Sequence, residues 1–157
     1  MLKTNIFYDT IEKDRNEVLQ MVRKLIHDEA LLSKVSEKAT KADKATAEDL
    51  LDTLKAHSDG CVGMAANMIG VLKCIIAFDN GGKYMVMYNP EIIGVSGEYE
   101  TEEGCLSYMG GPVKVKRYRS IEVRYEDEKF KKCTKIFRDF TAQIIQHEVD
   151  HLKGVLI

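Results

Sequence analysis

No apolar run in this sequence approaches the roughly 18 residues needed to cross a bilayer, so no membrane partner is expected. The opening segment, "MLKTNIFYDTIEKDRNE", lacks any apolar stretch able to form a secretory leader core, and a cytoplasmic protein is expected. No CxxC pair occurs: Cys61, Cys74, Cys105 and Cys133 are irregularly spaced, and nothing points to the disulfide framework of a secreted domain. Neither sign of charge dominates. The net charge of −2 supplies no electrostatic reason for nucleic acid or a membrane surface as the main partner. The densest basic group, "KVKRYR" at 114–119, alternates as a strand does and reads as a solvated face, with no nucleic-acid sequence readout expected. Internal repeats and low-complexity segments are also missing.

What the chain does contain is one domain's worth of apolar pattern, expected to span residues 1–157. "NEVLQMVRKLIHDEALLS", 16–33, sets Val18, Met21, Val22, Leu25 and Ile26 at helical spacing and predicts an amphipathic helix. "EKATKADKATAED", 37–49, reads as a surface connection, and Thr46 with Asp49 as the cap of a second helix ending near "SDG", 58–60. Beyond residue 70 short apolar or alternating runs follow: "KCIIAFD", "KYMVMYNP", "EIIGVSGEYE", "SIEVRYEDE" and "KFKKCTKIFRD". "NGG" at 80–82 marks a hairpin between the first two. Antiparallel strands with segregated helices predict an α+β fold.

The last helix is expected after Arg138, with Phe140, Ile144, His147 and His151 on one stripe. Two histidines on an apolar stripe are costly to bury unless something satisfies them. His147 and His151 stand four apart, one turn along one face, and Glu148 follows the first. This His-Glu-x-x-His pattern can hold a divalent metal, with the glutamate acting as base on a bound water. Only three residues follow Gly154, and Ile157 occupies the place where a downstream histidine would extend the protease pattern; a further ligand is expected upstream. His27 and His57 read as surface histidines, Cys74 as core, and Cys133 has nothing to bring it to a site. Cys105 differs, because "EEGCLSYMGG" is a strand end running into a glycine-bearing turn where Gly104 permits close backbone approach. A Cys/His/His set leaves a fourth position open, as catalytic metal sites require.

Three segments together resemble the peptide deformylase family. "HEVDH" at 147–151 matches its HExDH, "EGCLS" at 103–107 matches letter for letter, and "CVGMAANM" at 61–68 matches GxGxAAxQ in part. The resemblance covers roughly residues 60–157, and the N-terminal helical region of the chain is less like typical members. It implies an α+β fold with antiparallel sheets packed around a central C-terminal metal-binding helix, and N-terminal helices. It implies removal of the formyl group from the N-terminal formyl-methionine of nascent polypeptides, near the ribosome. By position, Cys105, His147 and His151 would hold one divalent metal, Fe²⁺ physiologically, with Zn²⁺, Ni²⁺ or Co²⁺ also accepted. Glu148 would serve as general base and acid on the metal-bound water, and the backbone N–H of Leu106 would face the oxyanion. Val62, Gly63, Gly104 and Ile144 would meet the substrate.

One departure carries weight. Met68 stands where the family has a glutamine that donates to the oxyanion, and Cys61 replaces the first glycine. Methionine has no donor. Asn67 carries an amide but points to the opposite face if the segment is a strand. The departure leaves a second reading beside the enzyme: a deformylase-like protein that binds N-termini or regulates with little turnover.

Overall fold

Ile75–Asp79 is the strand on which the two cores of the molecule meet, and its alternation assigns each residue to one of them. In the computed structural model, which describes residues 21–157, this strand (β2) lies between β1 (Gly63–Ala65) and β3 (Tyr84–Glu103). β4 (Val113–Glu126) and β5 (Lys132–Arg138) complete one five-stranded antiparallel sheet in the order β1-β2-β3-β4-β5. Side chains of a strand point alternately to its two faces. Ile76 and Phe78 therefore join Met87, Ile121, Val123, Ile145 and Val149 in one core, while Ile75 and Ala77 join Leu50, Leu54, Val86 and Tyr88 in the other. The C-terminal helix α3 (Asp139–Leu152) covers the first face, and α2 (Lys44–Ala56) covers the second.

The "NGG" hairpin forms between β2 and β3, with Gly81 and Gly82 at φ of 66° and 97° and the Gly82 N–H donating to Asp79 Oδ1 at 2.6 Å. The two runs expected as separate strands across "NP" are one 20-residue strand, β3. Pro90 has no N–H to give the ladder, so the strand bulges there, with register shifts between Tyr88 and Glu91 and between Ile92 and Gly94. Asn89 holds the bulge at φ 51°, exchanging hydrogen bonds with Ala39 (2.7 and 3.0 Å) and donating to Glu126 Oε2 at 2.6 Å.

The N-terminal expectations are corrected. Within 21–33 only Glu29–Leu32 (α1) is helical, and residues 16–20, with Val18, lie outside the described residues. The backbone donors ahead of α1 go to other elements: Met21 N–H to Asp52 Oδ2 and Arg23 N–H to Thr53 Oγ1, both at 2.9 Å, and Ile26 N–H to the Met68 carbonyl at 2.8 Å. Tertiary partners thus take N–H groups that a helix would have used internally. The second helix also starts earlier than expected. Thr40 and Asp43 form the capping box of a 3₁₀ turn, Lys41–Asp43, that runs into α2, so much of 37–49 is helical. Thr46 and Asp49 lie inside α2, and Asp49 pairs with Arg23 at 2.6 Å.

Candidate metal centre and active site

α3 turns His147 and His151 inward, onto the sheet, with 9% and 1% of their surface exposed. β3 ends at Glu103, and the chain leaves the sheet through Gly104 and Cys105 directly over that pair. The Nε2 atoms of the two histidines lie 3.0 Å apart, and Cys105 Sγ is 3.3 Å from His151 Nε2. All three donor atoms fall within 4.8 Å of one another.

His147 is oriented from behind. Its Nδ1–H donates to Glu103 Oε1 at 2.9 Å, which leaves Nε2 directed at the shared point. Glu103 is in turn gripped by Arg117, whose Nε lies 3.0 and 3.1 Å and Nη2 2.6 Å from its oxygens, and by Gln143 Nε2 at 2.9 Å. Arg117 also reaches Asp150 of α3 at 2.7 Å. Burial alone would raise the Glu103 carboxyl, but the bonds from His147, Arg117 and Gln143 bring it down to about 2. Burial works against charge on both histidines. For His147 the Cys105 and Glu103 partners overcome it and lift the imidazole to about 10; His151, buried and beside the cations His147 and Arg117, falls to about 3.

Two ring nitrogens facing each other at this distance need a cation between them or a proton on one. A thiol and two imidazoles converging on one point at the cavity wall have the donor chemistry of a divalent transition-metal site with a position left open. These residues fit such an ion.

Glu148, one residue along α3, has its carboxylate buried, with no hydrogen-bond partner for Oε2 among the described residues. Burial pushes this carboxyl up to about 7, near the range suited to proton transfer at neutral pH. It faces a cavity of about 400 Å³ that also exposes Cys105, His147 and Met68. Val62, Gly63, Gly104 and Ile144, the residues expected to meet substrate, line the same cavity, as do Leu106, Cys61 and Phe140. Phe140 is 60% exposed, so the apolar stripe of α3 continues past the core to the cavity mouth.

β1 is an edge strand among the described residues, and its register decides which groups face the cavity. Asp79 N–H donates to the Val62 carbonyl at 2.9 Å, and Gly63 pairs across from Phe78. In an antiparallel ladder the intervening residue then turns its N–H and C=O away from the neighbour strand. Gly63, not the Val62 carbonyl, therefore offers backbone groups to the open edge. The Gly63 carbonyl accepts the Cys61 thiol at 3.0 Å, and burial pushes that thiol up to about 11. Gly104 differs from expectation: a Cβ there would have no atom within 4 Å, so the residue faces open space instead of a closely approaching backbone.

Met68 sits in a 3₁₀ turn, Ala66–Ile69, 1% exposed, and its sulfur only accepts, from Ala65 N–H at 3.5 Å. Asn67 does not replace the missing donor. The backbone is helical there, yet its amide points away, to the His151 carbonyl at 3.0 Å and the Leu32 carbonyl at 3.5 Å. Leu106 N–H makes no hydrogen bond among the described residues, so it is a free donor beside Cys105.

Other singled-out residues fall elsewhere. His57 caps its own helix through Thr53, and Cys74 and Cys133 are half-buried outside the cluster. His27 is exposed but not free, with Nδ1 3.0 Å from the Ser107 carbonyl. The solvated-face reading of "KVKRYR" fails at Arg117, which is 4% exposed because Glu103 and Asp150 neutralise it. Glu103, Arg117 and Gln143 were thus missed by sequence reasoning. The usable signal was Gln143 lying four residues before His147, on the stripe already recognised.

The polypeptide deformylase family matches residues 16–157. A peptide deformylase of Clostridium beijerinckii is 49% identical over 137 residues, 87% of this chain and 100% of the relative. One from Thermotoga petrophila is 36% identical over 141 residues, 87% of this chain and 85% of its own length. The crystal structure of peptide deformylase from Thermotoga maritima superposes with a TM-score of 0.78 at 30% identity, covering 87% of this chain and 95% of that one. A structure from Acinetobacter baumannii with Met-Ala-Ser bound gives 0.77 at 27% identity, over 88% and 97%. With its Cys/His/His cluster, its buried glutamate and a match over most of its length, the chain belongs to the polypeptide deformylase family.

Proposed function

We propose that the cavity beside Glu148 hydrolyses the formyl group from N-formylmethionyl peptides, with residues 1–157 acting as one domain. The observation that carries this reading is the buried Glu148 carboxyl, unpartnered at Oε2, next to three converging metal donors. Cys105, His147 and His151 would hold one divalent ion, Fe²⁺ in the cell. When bound, such an ion lowers the pKa of water and polarises the formyl oxygen.

The chain's own residues supply the rest. The Gly63 N–H and C=O pair with the peptide backbone as an added strand, displacing the weak Cys61 thiol contact. The methionine side chain enters among Val62, Leu106, Phe140 and Ile144. Glu148 accepts a proton from the water that attacks the formyl carbon, and returns it to the amine as the C–N bond breaks; formate and a free amino terminus result. The Leu106 N–H donates to the oxygen that gains charge. Met-Ala-Ser, the tripeptide held by the Acinetobacter relative, has the form of such a product. The substrate supports action on nascent chains near the ribosome, in the cytoplasm.

Met68 favours a second reading, a protein that binds N-termini with little turnover, because a buried methionine cannot stabilise an oxyanion. Glu148 weighs against it: burying a carboxyl without a full set of partners costs stability that a binding site has no reason to bear. Two variants separate the roles. Cys105→Ala is expected to lose stoichiometric metal, whereas Glu148→Ala keeps metal and loses formate release. Metal retained by the first, or lost by the second, would remove that residue from its assigned role.

A further inference from the structure

His151 lies one residue from the end of α3, and the last four carbonyls of any helix have no partner within it. Terminal turns fray, and a metal ligand placed on one must be held from outside. The His151 carbonyl is held twice, by Gly154 N–H and by Asn67 Nδ2, each at 3.0 Å. Asn67 is 0% exposed and comes from the 3₁₀ turn, 84 residues away in sequence. Its second contact, at 3.5 Å, is the Leu32 carbonyl of α1. With a carbonyl on each side, the amide must present its NH₂ group there, since the reversed amide would set oxygen against oxygen.

We infer that Asn67 is a positioning residue, a cross-element lock that fixes the last turn of α3 and, through it, the direction of His151 Nε2 toward the metal. The inference rests on the metal-centre reading above but concerns a residue that touches neither metal nor substrate. Asn67 is therefore no stand-in oxyanion donor, because its amide is spent on the backbone of a ligand. The two flanking residues also profit. Ala66 belongs to the core shared with α2, and Met68 is held at the cavity wall by the same turn. Gly154 serves the same end from the other side: at φ 77° it passes so close to Ser33 that a Cβ would meet that carbonyl. α1 and α3 are thereby pinned together where the ligand sits.

The test uses Co²⁺, whose thiolate charge-transfer and ligand-field absorption reports ligand geometry. Affinity is read by competition with a chelator, beside the thermal midpoint of the metal-free protein. Asn67→Ala is expected to bind Co²⁺ about ten- to a hundredfold more weakly, with shifted ligand-field bands, as for other groups that orient metal ligands. Val86→Ala, a core truncation in the α2-facing core, is the control. It should lower the thermal midpoint while leaving affinity and bands as in the wild type. If Asn67→Ala does not fold, Asn67→Ser, which keeps a polar group but loses reach, carries the same expectation. Wild-type affinity and bands in a folded Asn67 variant would overturn the lock. Failure of the wild-type chain itself to bind Co²⁺ would instead overturn the metal reading on which the lock depends.

Discussion

Gly63→Ala is the substitution whose effect follows most directly from the geometry. A Cβ at residue 63 would lie 2.6 Å from Ile144 Cγ2 and 2.8 Å from Glu148 Oε1. Ordinary contact is about 3.5 Å, so these atoms must retreat by roughly 0.7–0.9 Å. Ile144 resists, being β-branched on a helix with one favoured rotamer and 5% exposed. The strain therefore falls on the Glu148 carboxylate and on the β1 edge. Overpacking of this kind costs about 1–3 kcal/mol of stability. A displacement of about 1 Å in a catalytic group costs about a hundredfold in rate. The expected variant is folded, holds stoichiometric metal, and deformylates formyl-Met-Ala-Ser about a hundredfold more slowly in kcat/KM. Formate release at matched metal content, with a thermal melt on the same sample, measures both. A Gly63→Ala protein within about threefold of wild type would refute the placement of Glu148 against β1.

Two further predictions address the departure at residue 68 and the buried acid. Met68→Gln restores a side-chain donor at the cavity wall and is expected to raise kcat by about 10²-fold or more, the scale of one oxyanion donor; an unchanged or lower rate would place the oxyanion elsewhere. Glu148 titrates at about 7 when folded and metal-free, against 4.5 ordinarily, because burial disfavours its charge. A carboxyl whose pKa is raised by folding binds its proton more tightly in the native state than in the unfolded chain. Wild-type stability should therefore fall relative to Glu148→Gln as pH climbs from about 4.5 to about 7, by up to about 3 kcal/mol. Parallel stability curves for the two metal-free proteins would contradict the buried, charge-averse setting of Glu148.

Much of the site was legible because it is written in short-range patterns. The helical spacing of His147 and His151 marks them as candidates, and only the fold brings them together with Cys105; the continuous apolar run in "KCIIAFD" matches a strand buried on both faces. What spacing does not carry is which distant group satisfies a buried charge. Arg117 sits in a basic run with ordinary strand alternation, and only the return of α3 beside β4 reveals that it faces Glu103 and Asp150. The N-terminal segment misled for a related reason. Its apolar residues have helical spacing, but the donors of Met21, Arg23 and Ile26 are claimed by α2 and by the turn holding Met68. Thr40 and Thr46 both precede an acidic residue by three, and local sequence alone did not show which pair caps the helix. At residue 67 the strand assumption gave the correct outcome for the wrong cause: the backbone is helical, and tertiary carbonyls, not strand alternation, turn the amide away.

Deformylation as proposed requires a metal held by Cys105, His147 and His151 beside the buried Glu148. Formate release from formyl-Met-Ala-Ser by anaerobically prepared, Fe²⁺- or Ni²⁺-loaded protein, with metal quantified in the same sample, reads both the activity and the ion it needs. Catalytic formate release is expected at one metal per chain, and is lost in Glu148→Ala with the metal retained. Stoichiometric metal with no release above buffer would contradict it, and would leave a metal-bearing protein that binds N-termini without cutting them.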